Sequence, residues 1–149
     1  MTSNTRRIRM TIAACLLAAA LPAPAQESPA AGETLYGRMG GNAVISAVVD
    51  ETVETMAANP RVNQSYEKVD LKRLKSMVVE QICALAGGPC RYSGEDMKTV
   101  HAGLNITESE FYAQVEALRA ALDNQGVGTR EKNELLRMLA SMKRDVVTK

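Results

Sequence analysis

The spacing of apolar residues is the feature that most narrows the folds open to this chain. Its clearest apolar stripe recurs every three or four positions and consists of Ile45, Val48, Val49, Val53 and Met56. That period places all of its members on one side of an α-helix. Nowhere does the chain show the strict alternation of apolar and polar residues that a half-buried β-strand requires. An all-α fold is therefore predicted.

Turn residues and caps divide the helical pattern into segments. The first long helix ends before Asn59-Pro60, and Asp70 is placed to cap a second helix whose apolar face continues to Leu85. Gly87-Gly88-Pro89 ends this second helix, because glycine adopts the left-handed cap conformation and proline cannot continue the backbone hydrogen bonding.

Three further helices are predicted after these glycines. A short helix is expected over residues 97–104, and Thr107 with Glu110 forms a capping box that begins a longer one. The inward positions of the longer helix are Phe111, Val115, Leu118 and Leu122. After a break at Gly126–Gly128, a last helix is predicted to bury Leu135, Leu139, Met142 and Val146.

The N-terminus has the three parts of a secretory signal. Basic residues Arg6, Arg7 and Arg9 precede an apolar run over 10–21, and Ala23-Pro24-Ala25 supplies small residues for cleavage. The apolar run has 12 residues, whereas a membrane-spanning helix needs about 20. We therefore predict a signal peptide at 1–25, a linker at 26–33 and one globular domain at 34–149. The product is expected in the periplasm or secreted, without membrane insertion after cleavage.

Two other export routes remain open. Arg6-Arg7 is compatible with a twin-arginine route, while Ile12 to Cys15 resembles a lipoprotein cleavage site after too short an apolar stretch.

The net charge of the mature chain limits the classes of partner that it could bind. Cleavage removes three of the 18 Lys and Arg residues and none of the 17 acidic ones, which leaves a net charge near −2. Such a charge does not favour binding to nucleic acid or to anionic lipid.

Cleavage also leaves an even number of cysteines. Cys15 is lost with the signal, and Cys83 and Cys90 remain in a chain that enters an oxidising compartment. A disulfide between them is the leading interpretation, because the turn after Cys83 brings the two sulfurs together. Two unpaired thiols or a redox-active pair remain alternatives, although the redox reading lacks a Cys-x-x-Cys motif.

His101 is the only histidine of the chain. A zinc site requires about four protein ligands, so a single histidine does not favour one. The sequence has no Gly-x-Ser-x-Gly elbow, which argues against a serine hydrolase, and no phosphate-binding glycine loop, which argues against nucleotide chemistry. Haem differs because its porphyrin supplies four ligands and the protein needs to add only one. Without Cys-x-x-Cys-His, any haem would lack thioether links. From composition alone, a helical histidine without a role also remains open.

Four segments resemble the truncated haemoglobins of group 1, which are two-over-two helical globins. They are "LYGRMGGNAVISAVVD", "VDLKRLK", "GGPCRYSGEDMK" and "HAGLNIT", in the order and spacing of that family, and the resemblance runs from about residue 35 to 147. It implies a two-over-two helical sandwich that holds haem b, here in an exported form. It also places His101 at the proximal position, where the histidine binds the iron.

The resemblance assigns further residues on the proximal side. The Nε2 atom of His101 is expected to bind iron, and its Nδ1–H to donate to a carbonyl one turn back, near Met97 or Lys98. Met97 would pack on the porphyrin face and Tyr92 would reach a propionate, although both positions are also compatible with ordinary core or rim. The candidate cations for the propionates are Arg73, Lys75, Arg91 and Lys98.

On the distal side the sequence departs from the family. Val53, preceded by Thr52, stands where the family commonly has a tyrosine that donates to dioxygen. The haem-facing positions of the next helix are occupied by Leu74, Met77 and Val78, with Ile82 as a further part of the wall. The expected hydrogen-bond donor is therefore missing from both helices.

Two distal residues carry open alternatives. Tyr66 replaces a phenylalanine of the family, and its hydroxyl either points to solvent or is the one distal donor. Met77 is either core filler or a sixth iron ligand, and a His/Met pair would raise the reduction potential and favour electron transfer.

These observations predict a haem-binding globin that reversibly binds a diatomic gas, namely oxygen, nitric oxide or carbon monoxide. Such a protein is a ligand-binding protein rather than an enzyme. The alternatives are a haem redox protein or nitric-oxide-consuming oxidoreductase with a separate reductase, and a haem-free helical interaction module.

Overall fold

The computed structural model describes residues 34–62 and 65–149. The predicted signal peptide and linker lie outside the described residues. Within these two ranges the regular structure is helical and no β-strand occurs, which confirms the all-α class. The helices are α1 (Leu35–Arg38), α2 (Gly41–Ala58), α3 (Leu71–Leu85), α4 (Met97–His101), α5 (Glu108–Asn124), α6 (Thr129–Ala140) and α7 (Lys143–Val146).

Helix α2 lies at the centre of the hydrophobic core. The whole predicted stripe of α2, from Ile45 to Met56, is buried, and the helix packs against both α3 and α5. Leu122 of α5 and Leu135 of α6 complete the core, and neither side chain is exposed at all. The periodicity of the first long helix therefore predicted its buried face correctly.

Both ends of α3 lie where the sequence predicts them. The Asp70 side chain accepts a hydrogen bond from the Arg73 backbone N–H at 3.0 Å, which satisfies one of the free donors at the helix start. At the other end, Gly87 has a φ of +76°, the left-handed conformation that glycine adopts without strain. Only Ile82 and Cys83 are fully buried on α3, so most of its apolar face lies at the edge of the core.

The capping box of α5 is also present. The Glu110 N–H donates to the Thr107 hydroxyl oxygen at 3.2 Å, and the Thr107 N–H donates to the Glu110 carboxylate at 2.8 Å. Of the predicted inward residues of α5, Leu118 and Leu122 are buried, whereas Phe111 and Val115 are half-buried.

Two predictions about helix boundaries were wrong, and one short helix was not predicted. The short helix ends at His101 and not at residue 104, because Gly103 and Asn105 adopt positive φ angles and turn the chain. The last helix ends at Ala140, and the chain then turns into the separate short helix α7. Of the four residues predicted to be buried there, only Leu135 is; Leu139, Met142 and Val146 are half-buried. Helix α1 was missed because four residues are too short to show a period.

In the part of the chain that the structure describes, none of the helices has the length and apolar character needed to cross a bilayer.

Candidate haem site

The proximal histidine candidate, His101, is the last residue of α4 and is half-buried. Its Nδ1 lies 2.7 Å from the carbonyl oxygen of Met97, one turn earlier in the helix. A carbonyl only accepts hydrogen bonds, so this contact places the proton on Nδ1 and leaves the lone pair of Nε2 free to bind a metal. The predicted hydrogen bond to a carbonyl one turn back is therefore present.

The donor set suits haem better than a bare metal ion. No cluster of three or more His, Cys, Asp and Glu side chains that could hold a metal is found among residues 34–62 and 65–149. A single neutral imidazole, already oriented by a backbone carbonyl, is what an iron held by four porphyrin nitrogens requires from the protein. The residues at His101 thus fit the group that the resemblance implies.

Helix α4 is short and depends on its cap and on its neighbours. Asp96 accepts hydrogen bonds from the Thr99 N–H at 3.0 Å and from the Thr99 hydroxyl at 2.7 Å, and these bonds lower the pKa of the Asp96 carboxyl. None of the five residues of α4 is fully buried, and the helix packs against α7.

The C-terminal strap, residues 142–149, holds the segment that follows His101. The carbonyl of Ile106 accepts from the N–H groups of Thr148 at 2.9 Å and Lys149 at 3.2 Å. The Ile106 N–H in turn donates to the Thr148 hydroxyl at 3.1 Å. The sequence does not indicate this strap, because residues 42 positions apart carry no local signal of their pairing.

Lys143 adds a second attachment of the C-terminal strap. Its ammonium group lies 2.7 Å from a Glu108 carboxylate oxygen and 3.0 Å from the Tyr112 hydroxyl. It also lies 4.7 Å from the centroid of the Tyr112 ring, within the range of a cation–π contact. The hydrogen bonds to Glu108 and Tyr112 raise the pKa of Lys143, so this cation stays charged at neutral pH.

Removing Thr148 and Lys149 is expected to accelerate haem loss while leaving the core helices folded. The change deletes the three hydrogen bonds that hold Ile106, and α4 becomes free to shift with His101. An increase of roughly fivefold in the rate of haem transfer to an acceptor protein corresponds to about one net hydrogen bond. An Arg144→Met variant, altered at an exposed residue of α7, serves as the control and should keep the original rate.

A glutamine that sequence analysis did not single out connects α3 to α4. The amide nitrogen of Gln81 lies 3.1 Å from the sulfur of Met97 and 3.8 Å from that of Met142. Thioether sulfur is a weak acceptor, so these contacts hold the helices together only loosely. The predicted haem-contacting residue Met97 therefore lies beside α3 and beside the strap.

Tyr92 is surrounded by negative charge. Its hydroxyl donates to the Glu95 carbonyl at 2.9 Å, and burial together with the carboxylates of Glu80, Glu95 and Asp96 raises its pKa. These charges do not favour a propionate beside the hydroxyl. Its assignment as a propionate contact stays a prediction.

Of the predicted propionate cations, one is committed elsewhere. Lys75 lies 3.3 Å from an Asp50 carboxylate oxygen and 2.9 Å from one of Glu54, both on α2. Arg73 and Lys98 are exposed on α3 and α4, and Arg91 is exposed between these helices. These three exposed side chains are therefore compatible with a contact to a propionate.

The predicted distal residues differ in burial: two are buried in the core and two lie at its edge. Val53 and Ile82 belong to the closed core, with 2% and 3% of their surfaces exposed. Leu74 and Val78 are half-buried and pack against the edge of that core. Thr52, next to Val53, donates its hydroxyl to the Val48 carbonyl at 2.7 Å and has no hydrogen left to donate.

Met77 is half-buried on α3, and its sulfur lies 3.9 Å from the Ser93 hydroxyl oxygen. The same hydroxyl donates to the Glu80 carboxylate at 2.7 Å. The Met77 side chain therefore lies towards the loop before α4. Its assignment as a sixth iron ligand stays a prediction.

The hydroxyl of Tyr66 does not point to solvent. It donates to the side-chain oxygen of Gln114, on α5, at 2.7 Å. Burial, reinforced by the charge of Glu110, raises the pKa of Tyr66 to about 12. The solvent-facing alternative was wrong, and Gln114 is a partner that the sequence did not indicate.

Cys83 and Cys90 lie at bonding distance, with their Cα atoms 5.7 Å apart. A bond between them would join the last turn of α3 to the segment that leads to α4 and His101. Gly88 lies against Cys83, since a Cβ atom at this position would come within 2.7 Å of the Cys83 sulfur and 2.6 Å of the Tyr36 ring. Only glycine fits beside this cysteine.

An all-α arrangement with one oriented imidazole on a short helix fits a haem-binding globin. The chain matches the family described as Bacterial-like globin over residues 34–148, and it belongs to that family. Within it, the relatives are group 1 truncated haemoglobins, and this resemblance is confirmed. Their fold confirms the two-over-two helical sandwich, and haem b is the cofactor of the family.

Individual relatives cover most of the chain. The group 1 truncated haemoglobin GlbN of Mycolicibacterium paratuberculosis is 30% identical over 115 residues, which span 77% of this chain and 85% of that protein. The group 1 truncated haemoglobin LI410 of Chlamydomonas moewusii is 28% identical over 142 residues, or 94% of this chain and 81% of that protein. The crystal structure of the Tetrahymena pyriformis truncated haemoglobin in its Fe(III) form matches with a TM-score of 0.74 at 27% identity, covering 78% of this chain and all of that one.

Proposed function

We propose that this globin is exported, holds haem b through His101 and reversibly binds a diatomic gas. The observation that carries the proposal is the 2.7 Å contact between His101 Nδ1 and the Met97 carbonyl oxygen, which presents Nε2 as a ligand. The names of the relatives as haemoglobins support the haem and the gas ligand. The N-terminal signal pattern supports export.

Each side of the haem would be bounded by residues already described. His101 would hold the iron through Nε2, and Met97 would pack against the porphyrin. Leu74, Val78 and Ile82 form the apolar wall on the other side, with Val53 behind them. Arg73 and Lys98 are the assigned cations for the propionates, because both are exposed and free to turn.

When bound, the haem would supply an iron that binds the gas. The protein orients the imidazole through the Met97 carbonyl, which also increases the basicity of Nε2. The apolar side chains of α3 exclude water, and water exclusion protects ferrous iron from oxidation.

Absorbance spectra of the protein purified from the periplasm test this proposal against its alternatives. The ferric and ferrous forms should be recorded with and without carbon monoxide. A Soret band with a five-coordinate ferrous form that binds carbon monoxide is expected. A ferrous form that is already six-coordinate without gas would favour Met77 as a ligand and the redox function with a separate reductase. A haem-free protein would favour the interaction module.

We also propose that Cys83 and Cys90 form a disulfide in the mature protein. Non-reducing mass spectrometry of the exported protein should give the mass of residues 26–149 less two hydrogens. Because the bridge closes a short loop, replacing both cysteines with alanine should lower the free energy of unfolding by about 2.5 kcal/mol. Two thiols that react with an alkylating agent under native conditions would contradict the pairing.

A further inference from the structure

We propose that the amide of Gln114 is the hydrogen-bond donor to the bound gas, and that Tyr66 is the positioning residue that orients this amide. The inference rests on the proposed function, since it concerns the gas side of the haem. It assigns a donor where the positions that commonly supply one, Val53 and Leu74, are apolar. Gln114 was not predicted as a site residue.

Gln114 occupies an inward position on α5. It precedes Leu118 by four residues and Ala121 by seven, and both of these side chains are buried. Residues at this spacing share one face of a helix, so Gln114 lies on the face that builds the core. A half-buried glutamine on such a face loses stability unless its amide is hydrogen-bonded, so a partner for it is required.

That partner is Tyr66, and the direction of the bond decides the function of the amide. The tyrosine hydroxyl has one hydrogen, and it donates this hydrogen to the Gln114 side-chain oxygen at 2.7 Å. The oxygen end of the amide is thereby fixed at Tyr66, and the NH₂ end points away from it. Within residues 34–62 and 65–149, these two N–H groups have no hydrogen-bond partner. They are the donors available to a ligand.

The surroundings keep the pair in this orientation. The pKa of Tyr66, raised to about 12, means that the hydroxyl remains protonated and continues to donate at neutral pH. Glu110, one turn before Gln114 on α5, is engaged at one carboxylate oxygen, which accepts from the Thr107 N–H at 2.8 Å and from the Thr107 hydroxyl at 2.7 Å. Tyr66 itself stands at the position that the family resemblance places at the haem edge.

Two substitutions of Gln114 separate its accepting function from its donating function. Gln114→Leu removes both, whereas Gln114→Glu keeps an acceptor for Tyr66 and loses the donor. Both should raise the dioxygen dissociation rate of the haem-loaded protein roughly fivefold or more, as expected for the loss of one hydrogen bond. Both should also raise the infrared stretching frequency of bound carbon monoxide, because a donor near its oxygen lowers that frequency.

Tyr66→Phe should raise the dissociation rate by less than Gln114→Leu does, because the amide remains but is no longer oriented. A measurement on the haem-free protein checks the contact itself. Gln114→Glu places a carboxylate beside the Tyr66 hydroxyl and should move the ionisation of Tyr66 to higher pH in an absorbance titration, with Tyr66→Phe identifying its signal. Gln125→Leu, a glutamine at the exposed end of α5, is the matched control and should change none of these quantities.

The outcomes distinguish failure of this inference from failure of the proposed function. A protein without haem, or without carbon monoxide binding, would contradict the proposed function. Normal haem and carbon monoxide binding, with unchanged dissociation rates and frequencies in both Gln114 variants, would overturn the inference alone. A change in Tyr66→Phe with none in the Gln114 variants would make Tyr66 the donor and would overturn it too.

Discussion

His101→Gly is expected to yield a folded protein that does not retain haem and shows no Soret band after gel filtration. The substitution removes the proposed iron ligand, and no other histidine can replace it, because His101 is the one histidine of the chain and the two cysteines of the mature protein are proposed to be bonded to each other. Free imidazole at millimolar concentration should restore the absorbance, since the substitution leaves space for it next to the Met97 carbonyl. Absorbance before and after imidazole addition measures both effects.

Thr99→Ala provides the matched control on α4. It removes the hydrogen bond from the Thr99 hydroxyl to Asp96, but keeps the capping bond from the Thr99 N–H and leaves the imidazole in place. The Soret band should survive this change. An unaltered Soret band in His101→Gly without imidazole would remove His101 from the proximal position, and equal losses in both variants would point to helix disruption rather than to lost ligation.

Val53→Tyr is expected to slow dioxygen release about tenfold or more and to slow oxidation of the ferrous form. A tyrosine hydroxyl at this position would add a hydrogen bond to a ligand that carries partial negative charge, and such bonds contribute about 1.5–3 kcal/mol. Stopped-flow measurement of the dioxygen dissociation rate reports the change directly. The slower oxidation follows because a hydrogen-bonded ligand leaves the iron exposed less often.

Val53→Phe has the same bulk without the hydroxyl and separates hydrogen bonding from overpacking. The control matters because Val53 is only 2% exposed and a larger ring must displace its neighbours. Leu74→Gln, at a half-buried position, places a donor on α3 with less crowding and should act in the same direction. Equal effects of tyrosine and phenylalanine at residue 53, with none from Leu74→Gln, would show that these positions do not face the gas.

The helices that could be predicted are those whose signals are local. The stripe from Ile45 to Met56 repeats with the helical period, and the caps at Asp70 and Thr107 act within three residues. The hydrogen bond from His101 to Met97 belongs to the same group, because it spans a single helical turn. Each of these features depends on neighbours in the chain, so the sequence contains what is needed to infer it.

The errors occurred where distant segments decide the local conformation. Met142 and Val146 continue the helical spacing of α6, yet the chain breaks after Ala140 and returns to α4. The helical hydrogen bonds lost at this break are replaced by contacts of the strap, namely the hydrogen bonds between Ile106 and Thr148 and the contact between Lys143 and Glu108. The periodicity of the sequence cannot show the stability gained from these contacts. They form only when the C-terminus reaches the α4–α5 connection.

The sequence by itself determined the all-α class, the family and the ends of the central helices, while the proximal position of His101 stays a prediction. The tertiary structure decided which polar groups meet across the site: Gln81 beside Met97, and Tyr66 bonded to Gln114. Helix formation and capping depend on residues within about one turn, whereas these pairs join segments 16 and 48 positions apart. A side chain's long-range partner depends on how the helices pack, and packing is a property of the whole fold.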